Sequence, residues 1–585
     1  MHKPLLRQHG AALLILLLTL TLGGLAWLLR QPNLQSASFP ARDKATDRAL
    51  AQTKEALLGY AAAYPEYKRK GNPARPVFVP GHLPCPDTGS ALGFEGSEAG
   101  TCGAKGVTVI GHFPWRSLGV PPPRDGSGEC LWYAVSGQYK ANPKADLLNP
   151  DSPGQFQILG PDGSRIIAGA TPEDRPVAVL IAPGPALPGQ SRQHQGGECR
   201  LDYDARQFLD VLQGIDNSTP NPEPEGITRM IAGTPGPFFN DRLVWISRAE
   251  LFERRIARRQ QPQRALFDSA YDPASSVPAL TQRIASCLAR FGASNPWNRL
   301  PWAAPLDPGG SPPDVFRNDR IADQSGLTAG RPPFSVGRSQ AVLSATLASL
   351  GACPVGNPTH SACRLLRTDN CPELLPVAGF PTASDTPASV NSADGWWDKW
   401  KEHLFYRVAP GFAPAAQPAA DCDSTPDACL RVNGRAYAAV LIYAGAALPG
   451  QKRNHDGDRI DPANYLEGEN LAALRGDSQV FAASGNDQLA CIAGPTAASP
   501  GFKLVPNCGN LHCQEGADKL LARVDGQQNL CHSEGKVLAA CTAALAGLSG
   551  CACQGAAARF LAPPCLVSLN APTCQAAIQS LKSCS

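Results

Sequence analysis

At 585 residues the chain is too long for a single hydrophobic core, so several domains are expected. A net charge of +3 gives no reason to expect nucleic acid as a partner, and only 2 Met rule out a Met-rich adaptable surface. The 56 Gly and 56 Pro favour turns and loops over long helices, and the 20 Cys, ten of them after residue 490, indicate an oxidising compartment.

The first element is apolar. Residues 11–29 are 19 uncharged, mostly Leu and Ala positions, about the 20 that span a bilayer. Lys3 and Arg7 precede them, which by the positive-inside rule leaves the N-terminus in the cytoplasm and exports the remainder; Arg30 on the far side weakens that argument. A secretory signal is the alternative, with Ser36-Ala37-Ser38 as a small-residue cleavage site. The basic leader ends in Gly10, and the apolar run starts at once with Ala11-Ala12-Leu13-Leu14. This resembles the prepilin leader of type IV pilins and type II secretion pseudopilins. The resemblance implies cleavage between Gly10 and Ala11 by a prepilin peptidase, a retained apolar helix, and other pilin-like subunits as partners. Pro32, 21 residues after Ala11, stands where many pilins kink. The chain departs from most pilins in having Ile15, not Glu, five residues into the mature chain, as a subset of minor pilins and the large tip pseudopilin do.

Next, residues 41–66 place Leu50, Leu57, Ala61 and Tyr64 at helical spacing between charges, which predicts an amphipathic helix on a sheet. The blocks "GHLPCPDTG", "GHFPWRSLG" and "DGSGECLWYAVSGQY" follow, and similar blocks occur in bacterial pilin-like proteins. "CLWYAVS" and "VAVLIAP" read as strands, and "NDRLVWISRAELFERRIARR" as a strand and then a helix with Ser247 and Glu250 in capping-box positions.

The chain then repeats itself. "AVLIAPGPALPGQSRQHQG" at 178–196 and "AVLIYAGAALPGQKRNHDG" at 439–457 share Leu-Pro-Gly-Gln-x-Arg-x-His-x-Gly at an offset of 261. "CLWYAVSG" (130–137) matches "HLFYRVAP" (403–410), Asp125-Gly126 matches Asp394-Gly395, and Leu83-Pro84 matches Leu300-Pro301. Residues 278–292 supply the helix of the second copy, and its extra loop, 305–320, is expected to be irregular. A tandem duplication follows, with one α+β repeat over 42–260 and another over 278–485. Residues 486–585 then read as short helices stapled by disulfides. The expected fold is thus α+β: a leader (1–10), a transmembrane helix (11–31), two pilin-like helix-plus-antiparallel-sheet domains and a Cys-rich helical tail.

Candidate sites are few. The shared turn offers Gln190, Arg192 and His194, and Gln451, Arg453 and His455, as an anion- or partner-binding turn; the plainer reading is a loop whose side chains bond its own carbonyls. Asp456, Asp458 and Asp461 make calcium the one cofactor left open, although the EF-hand spacing and its final Glu are missing and Gln195 and Gly197 replace two of the acids in the first copy. Cys85, Cys102, Cys491, Cys508, Cys513, Cys531, Cys541, Cys551, Cys553, Cys565, Cys574 and Cys584 are expected in disulfides, because the close pairs lack zinc-site spacing. Nucleophile elbows, H-E-x-x-H, phosphate loops and dinucleotide fingerprints are absent from the sequence, so no enzyme is expected. The expectation is a minor pilin- or pseudopilin-like subunit in the bacterial inner membrane, single-pass, with a periplasmic or surface head used for assembly or contact. The alternative is a stand-alone membrane-anchored envelope protein that binds a ligand or a surface.

Overall fold

The computed structural model describes residues 14–23, 32–69, 79–89, 94–193, 196–199, 201–252, 277–310, 315–337, most of 347–374, 396–414, 422, 425–482, 487–495 and 501–508, and the greater part of 517–582.

The apolar N-terminal stretch departs from its expectation. Residues 14–23 are helical, and Leu14, Ile15, Leu16, Leu17, Leu18, Leu20 and Leu22 are 53–70% exposed. Among the described residues no helix is long and apolar enough to cross a membrane. The next helix, α1 (Pro32–Arg69), carries Arg42, Asp43, Lys44, Asp47 and Arg48. The transmembrane helix at 11–31 and the single-pass inner-membrane placement are corrected accordingly. Gly10, Ala11 and residues 24–31 lie outside the described residues.

The chain forms two compact units. The first comprises Met1–Tyr60, Leu83–Pro143 and Gly154–Ser247; the second comprises Ala61–His82, Lys144–Pro153 and Arg248–Ser585.

In the first unit the strands β1 (Val109–His112), β2 (Trp132–Val135), β5 (Ala178–Ala182) and β7 (Arg242–Ile246) form an antiparallel sheet in the order β1-β2-β5-β7. A small sheet accompanies it: β3 (Phe156–Leu159) pairs antiparallel with β4 (Ile166–Ala168) and parallel with β6 (Thr228–Ile231). Apolar and aromatic side chains fill the space between them, among them Trp132, Ala134, Phe156, Ile158, Val179, Ile181 and Phe208. α1 is held by Arg242, which pairs with Asp43 at 3.1 Å and Asp47 at 2.7 Å.

In the second unit β8 (Ala329–Gly330), β9 (Leu404–Val408), β12 (Ala439–Tyr443), β14 (Gln488–Ala493) and β15 (Lys503–Val505) form an antiparallel sheet in that order. Again a small mixed sheet stands beside it: β10 (Leu430–Val432) runs antiparallel to β11 (Arg435–Tyr437) and parallel to β13 (Val480–Phe481). The domains are therefore not purely antiparallel. A second helix, α2 (Val277–Ser294), packs Leu280, Ile284, Leu288 and Phe291 into this core at spacings of three and four. Strands β14 and β15 draw their residues from the stretch expected to belong to the tail. The loop before Asn318 shows no regular element among its described residues.

The two main sheets share register. Trp132 faces Ile181 as Phe405 faces Ile442, and Tyr133 faces Leu180 as Tyr406 faces Leu441. Tyr133 Oη donates to the Pro84 carbonyl at 3.2 Å, and Tyr406 Oη to the Pro301 carbonyl at 3.1 Å. Gly111 and Gly330 play one role in the two sheets. A Cβ on Gly111 would overlap the Asp87 carbonyl, and one on Gly330 the Ala304 carbonyl.

Among the described residues, the remainder of the second unit holds three short helices, α3 (Ala539–Ala546), α4 (Gln554–Phe560) and α5 (Pro572–Lys582), around a small core that includes Leu520, Leu548, Phe560, Leu569 and Ile578, and it is not wholly helical, since Val524–Asp525 pairs with Gln528–Asn529 and His532–Ser533 with Lys536–Val537. Eight disulfides join described residues: Cys85–Cys102, Cys130–Cys199, Cys287–Cys371, Cys353–Cys363, Cys422–Cys429, Cys491–Cys508, Cys531–Cys541 and Cys565–Cys574. Cys553 is also disulfide-bonded. Cys513, Cys551 and Cys584 lie outside the described residues.

Candidate functional site

The repeated turn follows β5 in one unit and β12 in the other, and its polar side chains point back into the protein. In the first unit Arg192 donates through Nη1 to the Gly184 carbonyl (2.7 Å), through Nε to the Gln207 carbonyl (3.0 Å), and through Nη2 to Gln190 Oε1 (2.8 Å). In the second, Arg453 repeats each bond, to the Gly445 carbonyl (2.8 Å), the Asn464 carbonyl (2.6 Å) and Gln451 Oε1 (2.9 Å). The guanidinium stacks on an aromatic ring in both, Arg192 5.0 Å from Phe208 and Arg453 4.3 Å from Tyr465. Gln190 and Gln451 close the turn by accepting from the Leu187 and Leu448 N–H groups, each at 2.9 Å. Arg453 is 2% exposed and offers no free donor edge to an external anion. His194 lies outside the described residues. His455 caps the short helix Asp456–Ile460.

What surrounds each arginine differs. Glu129, immediately before Cys130, stands 3.6 Å from Arg192, and Cys130 is tied covalently to Cys199. In the second sheet Glu402 and His403 occupy the matching places before the strand. There the disulfide gives way to ionic contacts: Asp151 Oδ2 lies 3.1 Å from His403 Nε2 and 3.2 Å from Arg453 Nη1. His403 Nδ1 faces the Ala444 carbonyl at 3.1 Å. Glu402 is 1% exposed, accepts from Asn149 Nδ2 at 2.6 Å and lies 3.5 Å from Arg459 Nε. Arg331 completes the cluster by donating to the carbonyls of Leu306 (3.0 Å), Glu402 (2.7 Å) and Arg459 (2.9 Å). Burial alone would raise the Asp151 carboxyl, but the hydrogen bond and charge of His403, with Arg453 behind it, outweigh burial and hold it well below the usual carboxylate range. Burial lowers Arg192 and Arg331, and neighbouring acids oppose it.

The three acids proposed for calcium do not converge. Asp458 Oδ2 accepts from the His455 N–H at 3.2 Å, Asp456 pairs with Arg459 at 3.4 Å, and Asp461 accepts from the Ala463 N–H at 3.0 Å. Among the described residues no group of three or more His, Cys, Asp or Glu is placed to hold a metal ion.

Sequence reading passed over Asp151, Glu402, His403 and a set of acids linked to the turn: Asp210 and Asp241, with Glu467 and Asp487 in the second unit. The signals were present. "QFLD" (207–210) matches "NYLE" (464–467), "NDRLVWI" (240–246) matches "NDQLACI" (486–492), and "ECL" matches "EHL". No protein-family model, curated protein or solved structure matches the chain.

Proposed function

We propose that this chain is a large-headed, pilin-like subunit, a minor pilin or pseudopilin of a type IV pilus or type II secretion system, that works by assembly and contact and not by turnover. One observation carries the reading. The apolar run Leu14–Leu22 is more than half exposed, so no part of the described chain covers it, and a contiguous apolar surface of this kind calls for a partner. The helix of a neighbouring subunit supplies the matching surface, as the Gly10-Ala11 leader implies. The many disulfides fit export to an oxidising compartment. The repeated turns use their Arg and Gln groups to brace their own loops, which suits a rigid head. No cofactor is required by this reading.

A test is photo-crosslinking from Leu16 or Leu20 in the native host. Adducts to another pilin-like subunit support the proposal; adducts to none under conditions of filament or secretion-system expression would refute it. A second reading, a stand-alone exported protein that binds a ligand or surface through its head, draws on a different observation. Phe94 is 78% exposed, and the Arg116 guanidinium lies 5.7 Å from its ring and 4.9 Å from that of Trp115. Loss of surface binding in Phe94→Ala with subunit crosslinking absent would favour it.

A further inference from the structure

Each unit contains a buried pair of acids joined to the repeated turn. In the first, Asp210 and Asp241 clasp one another through their backbones: the Asp210 N–H donates to Asp241 Oδ2 at 2.8 Å, and the Asp241 N–H donates to Asp210 Oδ2 at 3.2 Å. Asn217 Nδ2 donates to Asp241 Oδ2 at 2.9 Å and takes the Ile231 N–H on its own Oδ1 at 2.8 Å. Gln190 Nε2 donates to Asp210 Oδ1 at 2.9 Å. Asp241 is 1% exposed, and its Oδ1 is buried with no hydrogen-bond partner.

The second unit repeats the chain of contacts with different residues. Gln451 Nε2 donates to Glu467 Oε1 at 3.1 Å, Asn470 Nδ2 donates to Asp487 Oδ2 at 3.0 Å, and Asn470 Oδ1 takes the Ala482 N–H at 3.0 Å. The Glu467 backbone amide lies close enough to the Asp487 carboxyl to favour its charged form. Asp487 is 7% exposed, and its Oδ1, like Oε2 of Glu467, is buried with no partner.

The groups facing each pair do not neutralise it. Asp241 faces Asp210, Asn217 and, farther off, Arg192, whose own acid contact is Glu129. Asp487 faces Glu467, Asn470 and Arg453, whose carboxylate partner is Asp151, itself shared with His403. Gln190 and Gln451 stand between the guanidinium groups and the acids. Two carboxyl groups this close, with a buried oxygen that receives no donor, do not hold two full charges; a proton on one of them removes the conflict.

We propose that each acid pair shares one proton in the folded protein, carried by Asp241 in the first unit and Asp487 in the second, and that losing it at rising pH loosens the clasp between the post-turn segment and the residue that immediately precedes β7 or β14. Burial, then the charge of Asp210, pushes Asp241 well above the usual range, and burial lifts Asp487 to about 7. The device is a proton-sensitive latch, made twice, and it stands independently of the functional reading.

Infrared spectra of the disulfide-intact full chain test it, as wild type minus Asp241→Asn/Asp487→Asn, so that Asp323, lifted to about 6 by burial, cancels. The expected difference at about pH 6 is a protonated-carboxyl band, part of which disappears on titration through about pH 7. No such band at about pH 6 overturns the proposal. Native-state hydrogen exchange of the wild type tests it even if the variant does not fold. The Asp210, Glu467, Ile231 and Ala482 amides are expected to speed up from about pH 6 to 9 by more than the roughly tenfold per pH unit of base-catalysed exchange. A rise of only that chemical factor at all four overturns it.

Discussion

Replacing Arg453 by Met tests the brace at the heart of the second unit. The side chain is 2% exposed and makes contacts to Asp151, Gln451 and the carbonyls of Gly445 and Asn464. Methionine fills much of the volume but leaves those acceptors without a donor and leaves Asp151, at 14% side-chain exposure, with His403 alone. Breaking one side of a buried ion pair typically costs about 3–5 kcal/mol, so a loss of about 4 kcal/mol is expected. Arg453→Lys keeps the charge but not the fork, and should lose about 2 kcal/mol. The assay is urea unfolding at neutral pH with disulfides intact. Adding Asp151→Asn to Arg453→Met removes the orphaned charge, and the double variant should recover at least about 1 kcal/mol relative to additivity. A loss below about 1 kcal/mol for Arg453→Met, or strict additivity in the cycle, would mean that the cluster is not a brace.

Other outcomes follow from the same geometry. Asp487→Asn should flatten the pH dependence of stability. The folded value, about 7, lies above the unfolded one, so this group's contribution is complete below about pH 4 and is lost as pH rises through 7. With about 1.4 kcal/mol per unit, wild type loses about 4 kcal/mol from this group over that window and the variant does not; parallel curves for the two would refute the assignment. Gly330→Ala puts a methyl group into the Ala304 carbonyl and should destabilise by about 1–3 kcal/mol, read as a lower urea midpoint, with Gly111→Ala behaving alike. Removing the Cys130–Cys199 bond, which closes a 69-residue separation, with Cys130→Ala/Cys199→Ala should lower stability by about 4 kcal/mol; a neutral result would mean that residual structure already restrains this loop in the unfolded chain.

The α+β class, the helix at 277–294 and strands such as "CLWYAVS" and "VAVLIAP" were legible because aromatic and β-branched runs bounded by turn residues announce themselves locally. The turn was legible because its ten-residue pattern survives at one offset. The acids around it were not, since the matching pieces sit at drifting offsets: 273 from Trp132 to Phe405, 261 from Arg192 to Arg453, 257 from Asp210 to Glu467 and 246 from Asp241 to Asp487. Loops of unequal length between fixed strands cause that drift; the turn and the strand pair Trp132/Phe405 carry enough shared residues to be matched despite it, whereas the single acids do not. Asp151 was hidden for another reason. It lies in sequence beside the first sheet's strands, yet it belongs to the second unit, a placement set by tertiary contact with His403 and Arg453. The apolar opening was read from residue count alone, and among the described residues no helix is long and apolar enough to cross a membrane.

The most direct test of the central claim is the mature N-terminus, determined by mass spectrometry on protein from the native host with and without its prepilin peptidase. The pilin-like account predicts a chain that begins at Ala11 when the peptidase is present and at Met1 when it is absent. A chain beginning near Ser36, or an identical N-terminus in both strains, would contradict it.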